Sequence, residues 1–324
     1  MDELRILLVG AGPMAVEYAR VLSAQNVKFD IVGRGPESAE KFKKEIGKEV
    51  FLGGLEHYVK KNDSIDEKFT HAIIVTNERE LGNAARLLLT HGIKNILIEK
   101  PGGFNVEDIE NVSKLSKSKN ADVFVGYNRR FYQSVLKAKQ IIEEEGGLTS
   151  FCFEFTEWGH MIKDLVKAPG VKENWFLHNS THIVDLAFHI GGFPKEMANL
   201  ISGKVDWHPT ASIFAGAGIS IKNALFSYQA NWEAPGRWSV EFMTRKSRLI
   251  FRPIEKLHIQ KIGSVAIDLV EMDYNLDTNF KPGLYKQTEA FISKDYSQFV
   301  SIHEQLKNVE NYYLKMLSNG ENNV

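Results

Sequence analysis

From its first residues the chain alternates short apolar runs with stretches of helical period. Residues 6–9, 29–32, 72–75, 96–99 and 122–125 read as strands, and residues 14–25, 38–46, 79–90 and 106–117 as the helices between them. Ile6-Leu7-Leu8-Val9 and Ala72-Ile73-Ile74-Val75 are apolar at every position, which suits parallel strands covered on both faces. This part is predicted to be α/β, a doubly wound parallel sheet.

A helix over 133–145 ends at Gly146-Gly147, and the texture then changes. Residues 149–158, 212–220, 224–232 and 238–244 alternate apolar and polar positions, the mark of largely antiparallel strands with one covered and one open face. Helices are predicted over 180–190 and 296–317. The second part therefore reads as an α+β domain, with domains at 1–125 and 126–324 and the closing helix free to pack back on the first. The aromatic rows Phe226, Tyr228, Trp232 and Phe153, Phe155 are expected on the open sheet face, where a homodimer or homotetramer would cover them.

Composition narrows the function classes. The 324 residues carry 40 basic and 41 acidic side chains, a net charge of -1, with the cations scattered, so neither nucleic acid nor an anionic membrane is an expected partner. The single cysteine, Cys152, is read as a buried, unreactive thiol without a disulfide. No stretch approaches the roughly 20 apolar residues that span a bilayer. With no secretory pattern at the start, a cytoplasmic location is expected.

The first chemical motif is Gly10-Ala11-Gly12-Pro13-Met14-Ala15, directly after the first strand. A dinucleotide pyrophosphate needs backbone N–H donors at close range and the positive end of a helix, which a turn without bulky Cβ groups allows. Pro13 suits the first helical turn and Ala15 the close packing of helix on strand. A nicotinamide dinucleotide on a Rossmann domain is the expected cofactor. After the second strand, where NAD sites commonly offer a carboxylate, the chain has Gly33-Arg34-Gly35-Pro36, with Ser38 and Lys41 nearby. Arg34 either holds a 2'-phosphate, favouring NADP, or is a solvated or adenine-stacking residue, leaving NAD open.

Glu99-Lys100-Pro101 follows an apolar strand and precedes Gly102-Gly103, and Val125-Gly126-Tyr127-Asn128-Arg129-Arg130-Phe131 lies downstream. With the glycine turn, these motifs resemble the glucose-fructose oxidoreductase, inositol dehydrogenase and MocA family over essentially the whole chain. The resemblance implies that Lys100 reaches the reacting centre beside the nicotinamide. It also implies that Thr76, Asn77, Glu99 and Asn128 join Gly10, Gly12, Pro13, Met14, Arg34 and Ser38 around the cofactor. An ammonium at Lys100 would stabilise developing alkoxide.

The family's second motif corresponds here to His178-Asn179-Ser180-Thr181-His182-Ile183-Val184-Asp185. If a helix begins near 179 or 180, positions 178, 182 and 185 share a face. His182 is then the candidate general base and Asp185 the group that orients it. His178 stands where many members carry aspartate. The His-x-x-x-His spacing also suits zinc, but no Glu or Cys constellation accompanies it, and no metal is expected.

Residues 172–180 resemble members that oxidise UDP-N-acetylglucosamine at the 3-hydroxyl and pass the ketone to an aminotransferase in lipopolysaccharide (lipid A) assembly. Trp175, Asn179, Arg129 and Trp158 are the candidate substrate contacts, with His160, Lys163, Arg237 and Tyr285 as further polar or aromatic candidates. Asn179 and Ser180 could equally cap a helix, and Trp175 could be core. The competing functions are reduction of another ketone or imine on the same scaffold, and dinucleotide sensing without turnover.

Overall fold

The structure, a computed structural model, describes residues 4–62 and 64–323. The chain divides into two compact units, Met1–Asn128 with Leu276–Leu306, and Arg129–Asn275 with Lys307–Val324.

The first unit is built on five parallel strands, β1 (Arg5–Val9), β2 (Lys28–Val32), β3 (His71–Ile74), β4 (Asn95–Glu99) and β5 (Asp122–Gly126). Their order is β2-β1-β3-β4-β5, and Val300–Ser301 adds an antiparallel edge beside β5. Phe51 bridges in parallel to Val32 beyond β2, as the rudiment of one more strand. The order reverses between β1 and β3, the place where such sheets open a ligand crevice at their carboxyl edge. Helix α1 (Pro13–Ala24) follows β1 and buries Ala15, Val16, Tyr18, Ala19, Val21 and Leu22.

The later part of this unit corrects the predicted closing helix over 296–317. Helix Leu284–Ser293 comes first, and a new helix begins only at Ile302. Ser301 and Glu304 form a reciprocal cap: the Ser301 hydroxyl oxygen accepts from the Glu304 N–H at 3.2 Å, while the Glu304 carboxylate accepts from the Ser301 N–H at 2.9 Å. Such a box stabilises a helix start at the next residue, and Val300–Ser301 is thereby free to pair with β5.

The second unit is a nine-stranded sheet holding β6 (Ser150–Glu154), β7 (Pro194–Ser202), β8 (Ile213–Ser220), β9 (Leu225–Asn231), β10 (Ser239–Met243), β11 (Ser247–Phe251), β12 (His258–Lys261) and β13 (Asp268–Leu269). The order is β13-β12-β11-β10-β6-β9-β8-β7, closed by Gly320–Asn323, and only the β6/β9 pair is parallel. Helix Thr181–Gly191 covers one face. Phe188 on this helix meets Phe153 and Phe226 edge-on, each with ring centroids 5.4 Å apart, and Phe151 stacks on Phe226 at 5.4 Å.

The aromatic rows are therefore inside the unit and do not form an open apolar face. Phe153, Phe155, Phe226, Tyr228 and Trp232 are all buried. They point to the helix-covered side because alternation puts Leu225, Ser227 and Gln229 on the other. Cys152 shares that other face and is half-buried rather than buried. Burial, then the Glu241 carboxylate, push its thiol pKa up and keep it protonated. Among the described residues no helix is long and apolar enough to cross a membrane.

His71, at the start of β3, is 3% exposed and packs edge-on against Phe291 at 5.2 Å. Burial, aided by the Lys294 charge, pushes its pKa down to about 4. The unfolded chain, with histidine near 6.5, binds a proton between those values that the folded chain does not. Stability is thus full above that window and falls as pH falls through it. Lowering pH from about 7 to about 5 is expected to cost about 2 kcal/mol through this group. Urea denaturation of His71→Gln should show that much less pH dependence than the parent.

Candidate active site

The chain leaves β1 at Val9 and turns through Gly10-Ala11-Gly12 into α1. The Gly10 N–H donates to the Val32 carbonyl at 2.8 Å, and its φ of +124° is open only to glycine. A Cβ on Gly10 would stand 2.7 Å from the Val75 carbonyl oxygen, so the turn lies against the end of β3. The Cβ direction of Gly12, by contrast, meets nothing within 4 Å. No side chain caps the first N–H groups of α1, and Pro13 removes one that the helix could not use.

This turn forms one wall of a cleft of about 540 Å³. Gly10, Gly12, Arg34, Ser38, Thr76 and Asn77 line it, together with Gly53, Gly54 and Glu80. The Thr76 hydroxyl is buried without a hydrogen-bond partner among the described residues. An open glycine cradle, a helix start and an orphaned hydroxyl fit a pyrophosphate and its adjoining ribose. Pro13 and Met14 begin α1 beside the cleft without lining it.

At the end of β4, the Tyr18 hydroxyl lies 3.2 Å from Glu99 Oε1 and 3.0 Å from Gln287 Oε1. Burial pushes the Glu99 carboxyl pKa up, opposed first by the Lys100 ammonium and then by Tyr18. Glu99 is thus a fixed, partly buried acid from which Lys100 projects. The Asn128 side-chain amide donates to the Pro282 carbonyl at 2.9 Å, so it fastens the chain within the first unit.

In the second unit the predicted helix start is corrected. A wide turn over Phe176–Ser180, with i to i+5 spacing, precedes helix Thr181–Gly191. Such turns are rare and gather at functional sites. Neither Asn179 nor Ser180 caps the helix. Asn179 Nδ2 donates to both oxygens of Glu157, at 2.9 and 3.0 Å, and the Ser180 hydroxyl donates to Glu157 Oε1 at 2.8 Å. Glu157 is 1% exposed, and burial pushes its pKa up. Arg237 Nη1 reaches its other oxygen at 3.3 Å.

His178, His182 and Asp185 are all buried on this helical segment. Asp185 takes a bidentate pair from Arg130, Nε to Oδ2 at 2.8 Å and Nη2 to Oδ1 at 2.6 Å. The Tyr313 hydroxyl adds a contact to Oδ1 at 3.4 Å. Asp185 therefore anchors Arg130. The His182 ring lies 6.1 Å from that of Trp238.

Residues 4–127 match the family GFO_IDH_MocA, described as an oxidoreductase family with an NAD-binding Rossmann fold. No match is found among curated protein sequences. Solved structures share the fold over nearly the whole chain. An inositol dehydrogenase homolog from Azotobacter vinelandii, complexed with NAD+, is 15% identical with a TM-score of 0.74, covering 100% of this chain and 98% of that one. UDP-N-acetylglucosamine 3-dehydrogenase GnnA from Acidithiobacillus ferrooxidans is 15% identical with a TM-score of 0.70, covering 98% and 97%. An oxidoreductase from Agrobacterium radiobacter, in complex with NAD+, L-tartaric acid and magnesium, is 12% identical with a TM-score of 0.77, covering 99% and 98%. Residues 4–127 fold as an NAD-binding Rossmann domain.

Of the predicted cofactor residues, the Rossmann domain gathers Gly10, Gly12, Arg34, Ser38, Thr76 and Asn77 at one cleft. Tyr285 belongs to the first unit, where its carbonyl accepts from Gln25 at 2.9 Å. The second unit gathers the others differently. Trp175 is 8% exposed and edge-on to Trp207 at 6.2 Å, hence largely core. Trp158 is 49% exposed and, with His160 and Lys163, lines a separate cleft of about 720 Å³ floored by Trp232. Arg129 stacks over Trp238. Glu157 escaped the sequence reading because it sits in an alternating strand-like run; a charged residue between Thr156 and Trp158 was the available signal.

Arg34 is 71% exposed at its side chain and pairs with Glu80 at 3.3 Å. Glu80 thus places a carboxylate in the cleft beside the cation that a 2'-phosphate would need. Glu80→Gln is expected to raise the NADP-to-NAD affinity ratio about tenfold, and Arg34→Ala to lower it, because like charge and bidentate pairing act oppositely on phosphate. Fluorescence titration with NADH and NADPH checks both directions.

Proposed function

We propose that the protein is an NAD(P)-dependent dehydrogenase that moves hydride between nicotinamide and a secondary hydroxyl of a sugar. The observation that carries this reading is the glycine-lined cleft at the strand-order reversal, with Lys100 leaving β4 at the same carboxyl edge of the sheet. A nicotinamide bound there supplies the hydride acceptor. Lys100 stabilises negative charge growing on the sugar oxygen. His182 accepts the hydroxyl proton as the general base. His178 replaces the carboxylate of the resembled motif, and Glu157, bonded to Asn179 and Ser180, is a buried acid of the second unit besides Asp185.

The substrate favoured is UDP-N-acetylglucosamine, oxidised at its 3-hydroxyl to a ketone that an aminotransferase consumes in lipid A assembly. Supporting this are the resemblance of residues 172–180 and the fold shared with GnnA. The test is purified protein with NAD or NADP, UDP-N-acetylglucosamine and an aminotransferase to remove product, followed at the reduced-nicotinamide absorbance. Lys100→Ala and His182→Ala are each expected to lower kcat roughly 10²–10⁴-fold while keeping cofactor affinity. Reduction by the His182 variant at the parent's rate would instead favour a ketone or imine reductase that needs only Lys100.

A further inference from the structure

Trp238 in the second unit packs against two guanidinium groups. Arg129 Cζ is 4.8 Å from its ring centroid and Arg237 Cζ is 4.5 Å from it, and Arg237 also lies 4.9 Å from the Trp158 ring. Cation–π attraction of about 0.5–2 kcal/mol per contact holds each cation to the ring but neutralises neither. The nearby acid is Glu157, which touches only Arg237 and already accepts three other hydrogen bonds. Tyr132, whose ring is 6.0 Å from the guanidinium, the exposed Glu255 carboxylate and, more weakly, Glu157 act on Arg129.

Two donors at this place are buried and find no acceptor among the described residues, Arg129 Nε and the indole Nε1 of Trp238. Burying donors unpaired costs about 1–3 kcal/mol each, more for a charged group. Two cations and two orphaned donors around a single ring make a place that an anion completes.

We propose that Arg129 and Arg237 form an anion site around Trp238, which takes a phosphate or carboxylate group carried by the substrate. This rests on reading the second unit as the substrate half of a sugar dehydrogenase, and it restricts the substrate to sugars bearing an acidic group. The His182 ring beside Trp238 places the site next to the candidate base.

The test is calorimetric titration of the full chain, saturated with NADH so that the glycine cradle is occupied, at constant ionic strength. Glucose, glucuronate and glucose 1-phosphate are the probes. At least one of the two acids is expected to bind about tenfold more tightly than glucose, the scale of a charge-assisted pair. The stronger of the two tells carboxylate from phosphate. Arg237→Met, at a side chain 46% exposed, and Arg129→Met should each abolish that advantage over glucose. No advantage of either acid over glucose, or an advantage kept by both variants, overturns the proposal. Arginine-dependent anion binding without any sugar oxidation would leave the site standing and remove the dehydrogenase reading. Oxidation of neutral sugars indifferent to both arginines would do the reverse.

Discussion

The turn from β1 to α1 must pass against the end of β3, and the first unit is arranged around that approach. The Val75 carbonyl occupies the space that a side chain on Gly10 would need, while the Gly12 side faces open space. One glycine is required by the protein's own packing and the other by what comes to the helix start. The distinction matters because only the second reports on a ligand. The orphaned Thr76 hydroxyl is an independent sign of the same thing, from the neighbouring strand end.

The second unit depends on two buried acids. Asp185 and Arg130 form a pair almost wholly out of water, and Glu157 draws Asn179 and Ser180 off the helix end. Breaking such a pair on one side typically costs about 3–5 kcal/mol, because a charge is left buried alone. The wide turn over Phe176–Ser180 is consistent with this pull: side chains that would otherwise cap the helix are engaged sideways. The histidines are thereby held on a segment fastened by Asp185 within it and by Glu157 outside it.

The parallel strands were legible because continuous apolar runs leave little alternative to a doubly covered strand, and the glycine turn because its chemistry is local. What was not legible depended on distant partners. Nothing near Asn179 announces that its side chain will serve Glu157, 22 positions earlier, rather than the helix end. The aromatic rows were correctly read as alternating, but alternation does not say which face is covered; Phe188 decides that. The capping box at Ser301 and Glu304 was present in the sequence and was hidden by a long helical period drawn through it. For the candidate site, residue types at motif positions pointed to Lys100 and His182, whereas Glu157 and the pairing of Arg34 with Glu80 needed coordinates.

The Tyr18 hydroxyl joins α1 to Glu99 on one side and to Gln287 on the other, and Val300–Ser301 closes the sheet beside β5. A ribosome delivers those last partners only after all of residues 129–275 have been made. The nascent first unit therefore waits with an open edge strand, and with Tyr18 and Glu99 lacking their third member, while residues 129–275 of the second unit emerge behind it. Domains commonly fold in order of synthesis. Here the unit that starts first cannot close until residues 276–306 arrive, and its exposed edge in the interval is where a chaperone or a stray strand would find it.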